Sequence, residues 1–451
     1  VQLTGKAITV ALAIACATPA LSEPLNLTRD EMLATAHNAL EAGAARQALA
    51  FVDAVLKVDP EDIAALVLKS RALRDLGRFD EAQVAAQTAW ALSDDDGARY
   101  ASAMALAQAL SSDGSRTMAQ VWLRRAHEVA RSDAERALAV RGHQYVKARN
   151  PWSYTFSFGA SPNSNLNNGS SADVLWIGNL PFTPVVYSGY TAQVSAGVSY
   201  RFSGANGTET HLGAQLFARI NWFDADSLAV LEGNSNPNDS QHDYDYVQAL
   251  ATLRHVRPIG ATTLELSANA GRTWYGWEYF ADVVNLGAEW RMPFGEGDQI
   301  ALFAKGRGQF FADPGDAPVY SGEAGARLRH DFSWGDRIEV TLAATGAMSD
   351  DAQREYLGGR GRVDYDLGQP LLGADLSFGL GAAYRDYPVS AFDPAGRQDW
   401  LLTASVEAAL PDAAYMGFMP LISAEFERNL SNVPAFQSQA LRFGLGIKSQ
   451  F

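Results

Sequence analysis

At Asn150-Pro151 the spacing of apolar residues changes from 3.6 to 2, and the new period holds from there to residue 451. Tyr190, Ala192, Val194, Ala196, Val198, Tyr200 and Phe202 fall on one face of such a stretch, with Thr191, Gln193, Ser195, Gly197, Ser199 and Arg201 on the other. The division recurs with Leu212, Ala214, Leu216, Ala218, Ile220 and Trp222, and again with Leu376, Phe378, Leu380, Ala382 and Tyr384. One face suits lipid and the other suits water or an interior of small residues. Beyond residue 22 no apolar run reaches the roughly eighteen residues that a membrane helix needs. A chain that alternates for about 300 residues in this way folds into a large antiparallel sheet, and a membrane barrel is the form that hides from hydropathy.

Fourteen alternating segments are centred near 152–159, 190–202, 208–222, 243–255, 262–275, 282–292, 299–310, 319–332, 337–348, 355–367, 374–385, 399–410, 419–428 and 440–451. An even number returns both chain ends to one side, as single-chain outer-membrane barrels require. Connections after odd segments are long, as at 160–189, 223–242, 386–398 and 429–439, although those near 276–281 and 349–354 are short. Connections after even segments are tight, as at Gly204-Ala205-Asn206-Gly207, Pro293-Phe294-Gly295-Glu296-Gly297 and Ser333-Trp334-Gly335-Asp336. Short periplasmic turns and long outer loops have this pattern, which puts the region before the first strand in the periplasm. Aromatics gather at strand ends, namely Tyr200 and Phe202, Trp222 and Phe223, Trp274 to Trp277, Trp290, and Phe310 and Phe311, as interfacial girdles do. A soluble sandwich would also alternate, but it needs neither fourteen strands nor outward aromatic ends. In the last segment Leu441, Phe443, Leu445, Ile447 and Phe451 share a face, the apolar alternation with a terminal aromatic that the barrel-assembly machinery reads; Phe443, Leu445, Ile447 and Phe451 are the expected assembly signal.

Residues 1–22 have the form of a secretory signal: Lys6 precedes the apolar run Ala7 to Cys16, and Ala20-Leu21-Ser22 supplies a small-x-small cleavage site. A lipoprotein reading, with Cys16 acylated, is the weaker alternative because the position three before it is not Leu or Val. Cys16 is the sole cysteine, which excludes a disulfide framework and a thiolate metal cluster.

Between these regions, residues 23–150 are rich in Ala and Leu at helical spacing, and they repeat. Gly43 and Gly77 are 34 residues apart, as are Ala48 and Ala82, and Gly114 and Ala119 continue the series after three inserted residues. That period, with a small residue at the helix turn, is the tetratricopeptide signature, clearest in Leu76-Gly77-Arg78-Phe79-Asp80-Glu81-Ala82. An ordinary helical bundle is the plainer alternative. Stacked repeats form a concave groove that usually binds a polypeptide, and Arg71, Arg74, Arg78, Arg124 and Arg125 either line it or form a solvated face. The expected architecture is thus a signal at 1–22, a periplasmic tetratricopeptide-like α-solenoid at 23–150, and a 14-stranded antiparallel outer-membrane β-barrel at 151–451.

With 36 Lys and Arg against 51 Asp and Glu the net charge is −15, which argues against nucleic acid as a partner. The polar face of the barrel nevertheless carries both signs. Its expected lumen lining includes Arg201, Arg219, Lys305, Arg307, Arg327, Arg329, Arg360 and Arg362, with Glu265, Glu289, Glu323 and Glu425, and Arg385 and Arg442 fall on the same face. These either pair structurally with one another or handle a passing substrate. No catalytic or metal motif is present: the histidines are scattered without H-E-x-x-H spacing, no G-x-S-x-G elbow occurs, and Asp94-Asp95-Asp96-Gly97 fits a solvated break between helices. The chain is therefore expected not to be an enzyme and to need no cofactor or metal.

The most distinctive segment, Gly159-Ala160-Ser161-Pro162-Asn163-Ser164-Asn165-Leu166-Asn167-Asn168-Gly169-Ser170, follows the first strand and has the composition of a chain of turns. Here the sequence resembles the surface lipoprotein assembly modulator (Slam) family, outer-membrane translocators of the type XI secretion system. Their barrel opens with a strand and a similar A-P-x-S-N-I-N-like stretch, matched by Ala160 to Asn167, including Pro162, Asn163, Ser164, Asn165 and Asn167. The resemblance covers nearly the whole mature chain in architecture but only this stretch in motif. It implies export of a client protein, a surface lipoprotein or a secreted soluble protein, with the repeats engaging the client or a periplasmic chaperone. An exopolysaccharide exporter and a passive porin with an adaptor domain are the alternatives. Whether residues 160–189 plug the lumen or project outward stays open from sequence.

Overall fold

The computed structural model describes residues 27–177, 180–233, 240–295 and 297–449; the expected signal with Cys16, and Phe451, lie outside them. The chain divides into two compact units, the first ending at Ser115 and the second starting at Arg116.

The first unit holds α1 (Arg29–Glu41), α2 (Ala45–Val58), α3 (Ile63–Asp75), α4 (Phe79–Leu92) and α5 (Asp96–Ser112). Thr28 opens α1 with a capping box: its side chain accepts from the Glu31 amide, and the Glu31 carboxylate accepts from the Thr28 amide at 2.8 Å. Gly77 ends α3 at φ 76°, a left-handed backbone that a residue with Cβ adopts only at a cost, and the Arg78 amide then reaches the Leu73 carbonyl at 2.8 Å. Gly43 does the same after α1, which explains the 34-residue spacing of the two glycines. Ala48 and Ala82 are fully buried, because close-packed helices leave room there for a methyl group and no more.

The second unit begins with α6 (Arg116–Glu128) and α7 (Asp133–Arg149) and continues into the barrel. Its strands are β1 (Trp152–Asn163), then β4 (Gly189–Ser203), β5 (Glu209–Phe223), β6 (Tyr246–Ile259), β7 (Thr262–Tyr275), β8 (Glu278–Pro293), β9 (Asp298–Phe311), β10 (Val319–Asp331), β11 (Arg337–Ser349), β12 (Tyr356–Asp366), β13 (Asp375–Tyr387), β14 (Arg397–Ala409), β15 (Phe418–Ser431) and β16 (Ser438–Ser449). The small hairpin β2 (Leu175–Ile177) and β3 (Leu180–Phe182) lies in the connection between β1 and β4, and α8 (Ala225–Gly233) lies between β5 and β6. Fourteen strands close into one antiparallel barrel in which each pairs with its sequence neighbour and β1 meets β16. Closure leaves no sheet edge to satisfy in lipid.

Outward positions follow the alternation. Leu216, Leu286, Leu342 and Leu380 are exposed along the strand midsections, as lipid contact requires. Aromatics band both ends of the wall. Trp152 packs edge-on against Tyr200 at 4.9 Å near the short turns, and Tyr384 meets Trp400 at 4.9 Å near the long connections. Two residues expected in the girdles are corrected. Phe223 is buried against Tyr187 and Leu231, and Phe311 turns toward Arg354, whose guanidinium lies 4.6 Å from its ring. Each follows an outward neighbour, Trp222 or Phe310, and a period of two sends consecutive residues to opposite faces.

Candidate functional site

Strand β1 runs farther than its sequence suggests. Ala160, Ser161, Pro162 and Asn163 pair with Ala192, Thr191, Tyr190 and Gly189 of β4, so the first part of the Asn- and Ser-rich segment is strand and not turn. A full-length partner extends the strand through residues whose own propensity favours turns. From Ser164 onward the segment does turn, and the turn is built from asparagines. The Asn163 Oδ1 accepts from the Asn165 amide at 3.0 Å, the Asn165 Oδ1 accepts from the Gly169 amide at 2.7 Å, and the Asn165 Nδ2 donates to the Gly169 carbonyl at 2.9 Å. Asn167 Nδ2 donates to the Val185 carbonyl at 2.8 Å, and its Oδ1 accepts from the Tyr187 amide at 3.1 Å. A Cβ on Gly169 would stand 2.4 Å from that same Val185 carbonyl, so the loop closes only around glycine.

The same run grips the last strands of the barrel. Ser164 exchanges two bonds with Leu441, its amide to the carbonyl at 3.3 Å and its Oγ from the amide at 3.0 Å. Ser170 Oγ donates to the Pro434 carbonyl at 2.7 Å. The open question of direction is answered by Asn168. It borders one cavity with Gln193, Arg219 and Arg442, and a second with Arg385, Glu427 and Asn429, all on the inner face of the wall. Residues 165–169 therefore lie in the mouth of the barrel at the long-connection end, between strands on its two sides. Asn168 itself holds φ at 50°, a conformation that asparagine tolerates.

On the wall, the expected lumen residues are brought together mainly as pairs. Arg254 forks onto Glu265 with two 2.8 Å bonds, Arg291 bridges Glu265 and Glu289, and Arg327 joins Glu289 at 3.5 Å to Glu339 at 3.1 Å. This chain crosses from β6 to β11. Glu323 holds Arg360 at 2.8 Å and Lys305 at 3.3 Å; Arg442 lies 3.4 Å from Glu425 and 3.5 Å from Glu427. Arg362 pairs with Asp364 at 2.7 Å, Arg329 with Asp331 at 2.8 Å, and Arg201 with Glu209 at 3.2 Å. Arg219 and Arg307 differ: among the described residues neither has an acidic partner, and the Nε of each is buried without a hydrogen bond. Arg219 lies 6.0 Å from the Tyr246 ring. Phe443, Leu445 and Ile447 are exposed on the outer face of β16, where the alternation put them.

The five arginines considered for a repeat groove do not share one role. Arg71 pairs with Glu41 at 3.0 Å, Arg74 with Asp75 at 2.7 Å and Arg78 with Glu81 at 2.6 Å, all within the first unit. Arg125 lies over the Trp122 ring at 4.4 Å. Arg124 docks on the barrel, donating to the carbonyls of Met416 at 3.2 Å and Gly417 at 3.1 Å, with its guanidinium 4.6 Å from the Phe418 ring. Glu128 accepts from the Met416 amide at 2.8 Å, so α6 clasps the turn between β14 and β15. In α7, His143 is 2% exposed, and burial, with Arg124 and Lys147 nearby, holds its pKa down to about 4. Among the described residues no cluster of His, Cys, Asp and Glu could hold a metal, and Asp95 of the acidic run caps α5 through the Gly97 and Ala98 amides.

Known proteins match the chain in two ways. Residues 39–107 match the family model of the tetratricopeptide repeat. That assigns the helical spacing to the repeat and sets aside an ordinary bundle. No curated protein matches the chain. Similar solved structures include a bacterial polysaccharide outer membrane secretin, 7% identical, covering 65% of this chain and 98% of its own at a TM-score of 0.35. OmpT of Vibrio cholerae is 10% identical over 66% of this chain and 98% of its own, at 0.35. OprB of Pseudomonas putida is 10% identical over 68% and 96%, at 0.37. Likenesses this distant carry no argument about function. The molecule is an outer-membrane-type barrel preceded by tetratricopeptide-like helices.

Proposed function

We propose that this chain is an outer-membrane translocator of the Slam type, which passes a client protein, a surface lipoprotein or a secreted soluble protein, through its barrel. The observation that carries the reading is the mouth segment. The stretch Pro162 to Asn167, which resembles the family's motif, ends β1 and turns from Ser164 onward into an inward hydrogen-bonded loop at the point where a client would leave. The helices that match the tetratricopeptide-repeat model supply the recruiting part in this reading, on the periplasmic side if the short turns face inward. The partners in this reading are the client, periplasmic chaperones, the barrel-assembly machinery and outer-membrane lipid. Translocation needs no bond chemistry, so the protein is no enzyme in this reading.

The test is deletion of the gene followed by proteomics of surface-shaved and secreted fractions. Loss of one or a few proteins from those fractions supports export. No protein loss, with changed polysaccharide or small-solute flux, sinks it in favour of a polysaccharide exporter or a porin. Removing residues 27–115 alone should leave an assembled barrel, since α6 and α7 belong to the barrel unit, and should abolish export.

A further inference from the structure

Most charges on the inner wall cancel in pairs; apart from Arg219, the excess gathers in one region. A cavity of about 470 Å³ is lined by Lys305, Arg307, Arg360 and Arg385 together with one carboxylate, Glu323. Glu323 is committed to Arg360 and Lys305, so it neutralises at most one of the two. Arg307 has Asn285 and Ser321 as its cross-strand neighbours, neither charged, and its buried Nε makes no hydrogen bond. Arg385 lies 5.3 Å from the ring of Tyr356, which also lines the cavity. Its cross-strand neighbour Asp399 is held by Arg397 at 3.1 Å. Four cations thus line one recess with one carboxylate among them, and a cleft lined by an excess of one sign concentrates its field.

Guanidinium groups of this kind have a fork of donors that matches the geometry of carboxylate and phosphate oxygens. Buried donors and excess positive charge are costly unless an anion completes them. We propose that this cavity is an oxyanion site, which takes the carboxylate or phosphate groups of a small polyanion, with Arg307 and Arg385 as its principal donors. Arg360 and Lys305 contribute field, and Glu323 tunes it by withholding part of their charge. The proposal is independent of the export reading: an anion that fails to bind here leaves export untouched, and a chain that exports nothing keeps the same cavity charge.

The experiment is calorimetric titration of citrate, and separately of inorganic phosphate, into the purified full-length protein in detergent. The expected result is saturable one-site binding of citrate, of phosphate, or of both. Citrate alone assigns the site to carboxylates, phosphate alone to phosphates, and both to oxyanions in general. Arg307→Gln and Arg385→Gln should each weaken binding about tenfold or more, while Arg254→Gln, in the paired chain elsewhere on the wall, should leave it unchanged. Glu323→Gln keeps the shape of the cavity, removes its one negative charge and should tighten binding. Absence of saturable binding by either anion overturns the proposal, as does binding that survives both arginine substitutions. Should the arginine variants lose their heat-modifiable fold, Glu323→Gln decides: unchanged or weaker binding overturns the proposal.

Discussion

Asn165 donates from its side-chain nitrogen to the carbonyl of Gln439, 3.2 Å away and 274 residues later in sequence. One side chain thereby ties the segment in the mouth to the last strand of the barrel. It is 2% exposed, and its amide group also supplies both bonds to Gly169. Asn165→Ala would strand these partners at a local cost of about 2 kcal/mol. The expected outcome is a barrel that keeps its heat-modifiable mobility while residues 164–188 become sensitive to added protease and channel conductance in planar bilayers rises. Unchanged protection and conductance would show that the segment is held without it.

Gly77→Ala tests the repeat turn. No atom lies within 4 Å of an added Cβ there, so the penalty is backbone strain alone at φ 76°. A left-handed alanine costs roughly 1–2 kcal/mol, and each kcal/mol moves the midpoint of a unit this size by about 4–8 °C. Thermal melting followed by circular dichroism should show the helical transition falling while the barrel transition stays in place.

His143 makes the helical pair beside the barrel sensitive to acid. Its folded pKa, about 4, lies below the ordinary value of 6.5, so the unfolded segment binds the proton more readily than the folded one. Its contribution to stability is complete above pH 6.5 and declines as pH falls toward 4, by about 3 kcal/mol over the whole window. Hydrogen exchange of residues 133–149 should therefore accelerate between pH 7 and pH 5 once corrected for intrinsic rates, and His143→Leu should flatten that dependence. Equal dependence in both proteins would rule the histidine out as its source.

Leu380 lies near the middle of β13 with its side chain 65% exposed. Leu380→Arg places a cation against lipid and should destabilise the barrel by about 2–4 kcal/mol. Urea titration in lipid vesicles, read by gel mobility, measures the shift. A midpoint equal to that of the parent would mean that this face does not meet lipid.

Much of this architecture is legible in the sequence, because it rests on periodicity. Alternation assigns Leu380 and Arg362 to opposite faces whatever their partners are, and a 34-residue spacing places Gly43 and Gly77 at equivalent turns. What escapes is whatever depends on a partner distant in sequence. Arg124 reads as one more cation on a helix; only the turn at Met416 and Gly417 gives it a role. Asn168, one residue past the motif and unremarkable in sequence, proves to be the residue that borders both sides of the mouth. Tyr356 shares the inner face of β12 with Arg360, and the alternation could have found it, but its pairing with Arg385 crosses to another strand. Phe223 and Phe311 stand beside outward aromatics in sequence, but the strand turns each to the opposite face, where its partners come from other segments.

The bonds from Ser164 and Asn165 to β16 cross the seam where β1 meets the last strand. A loop emerging from the first barrel strand has Leu441 and Gln439 within reach only where those two strands lie side by side, which is to say in the closed barrel. The ordered cap is thus a record of completion: a barrel that has not finished zipping cannot wear it.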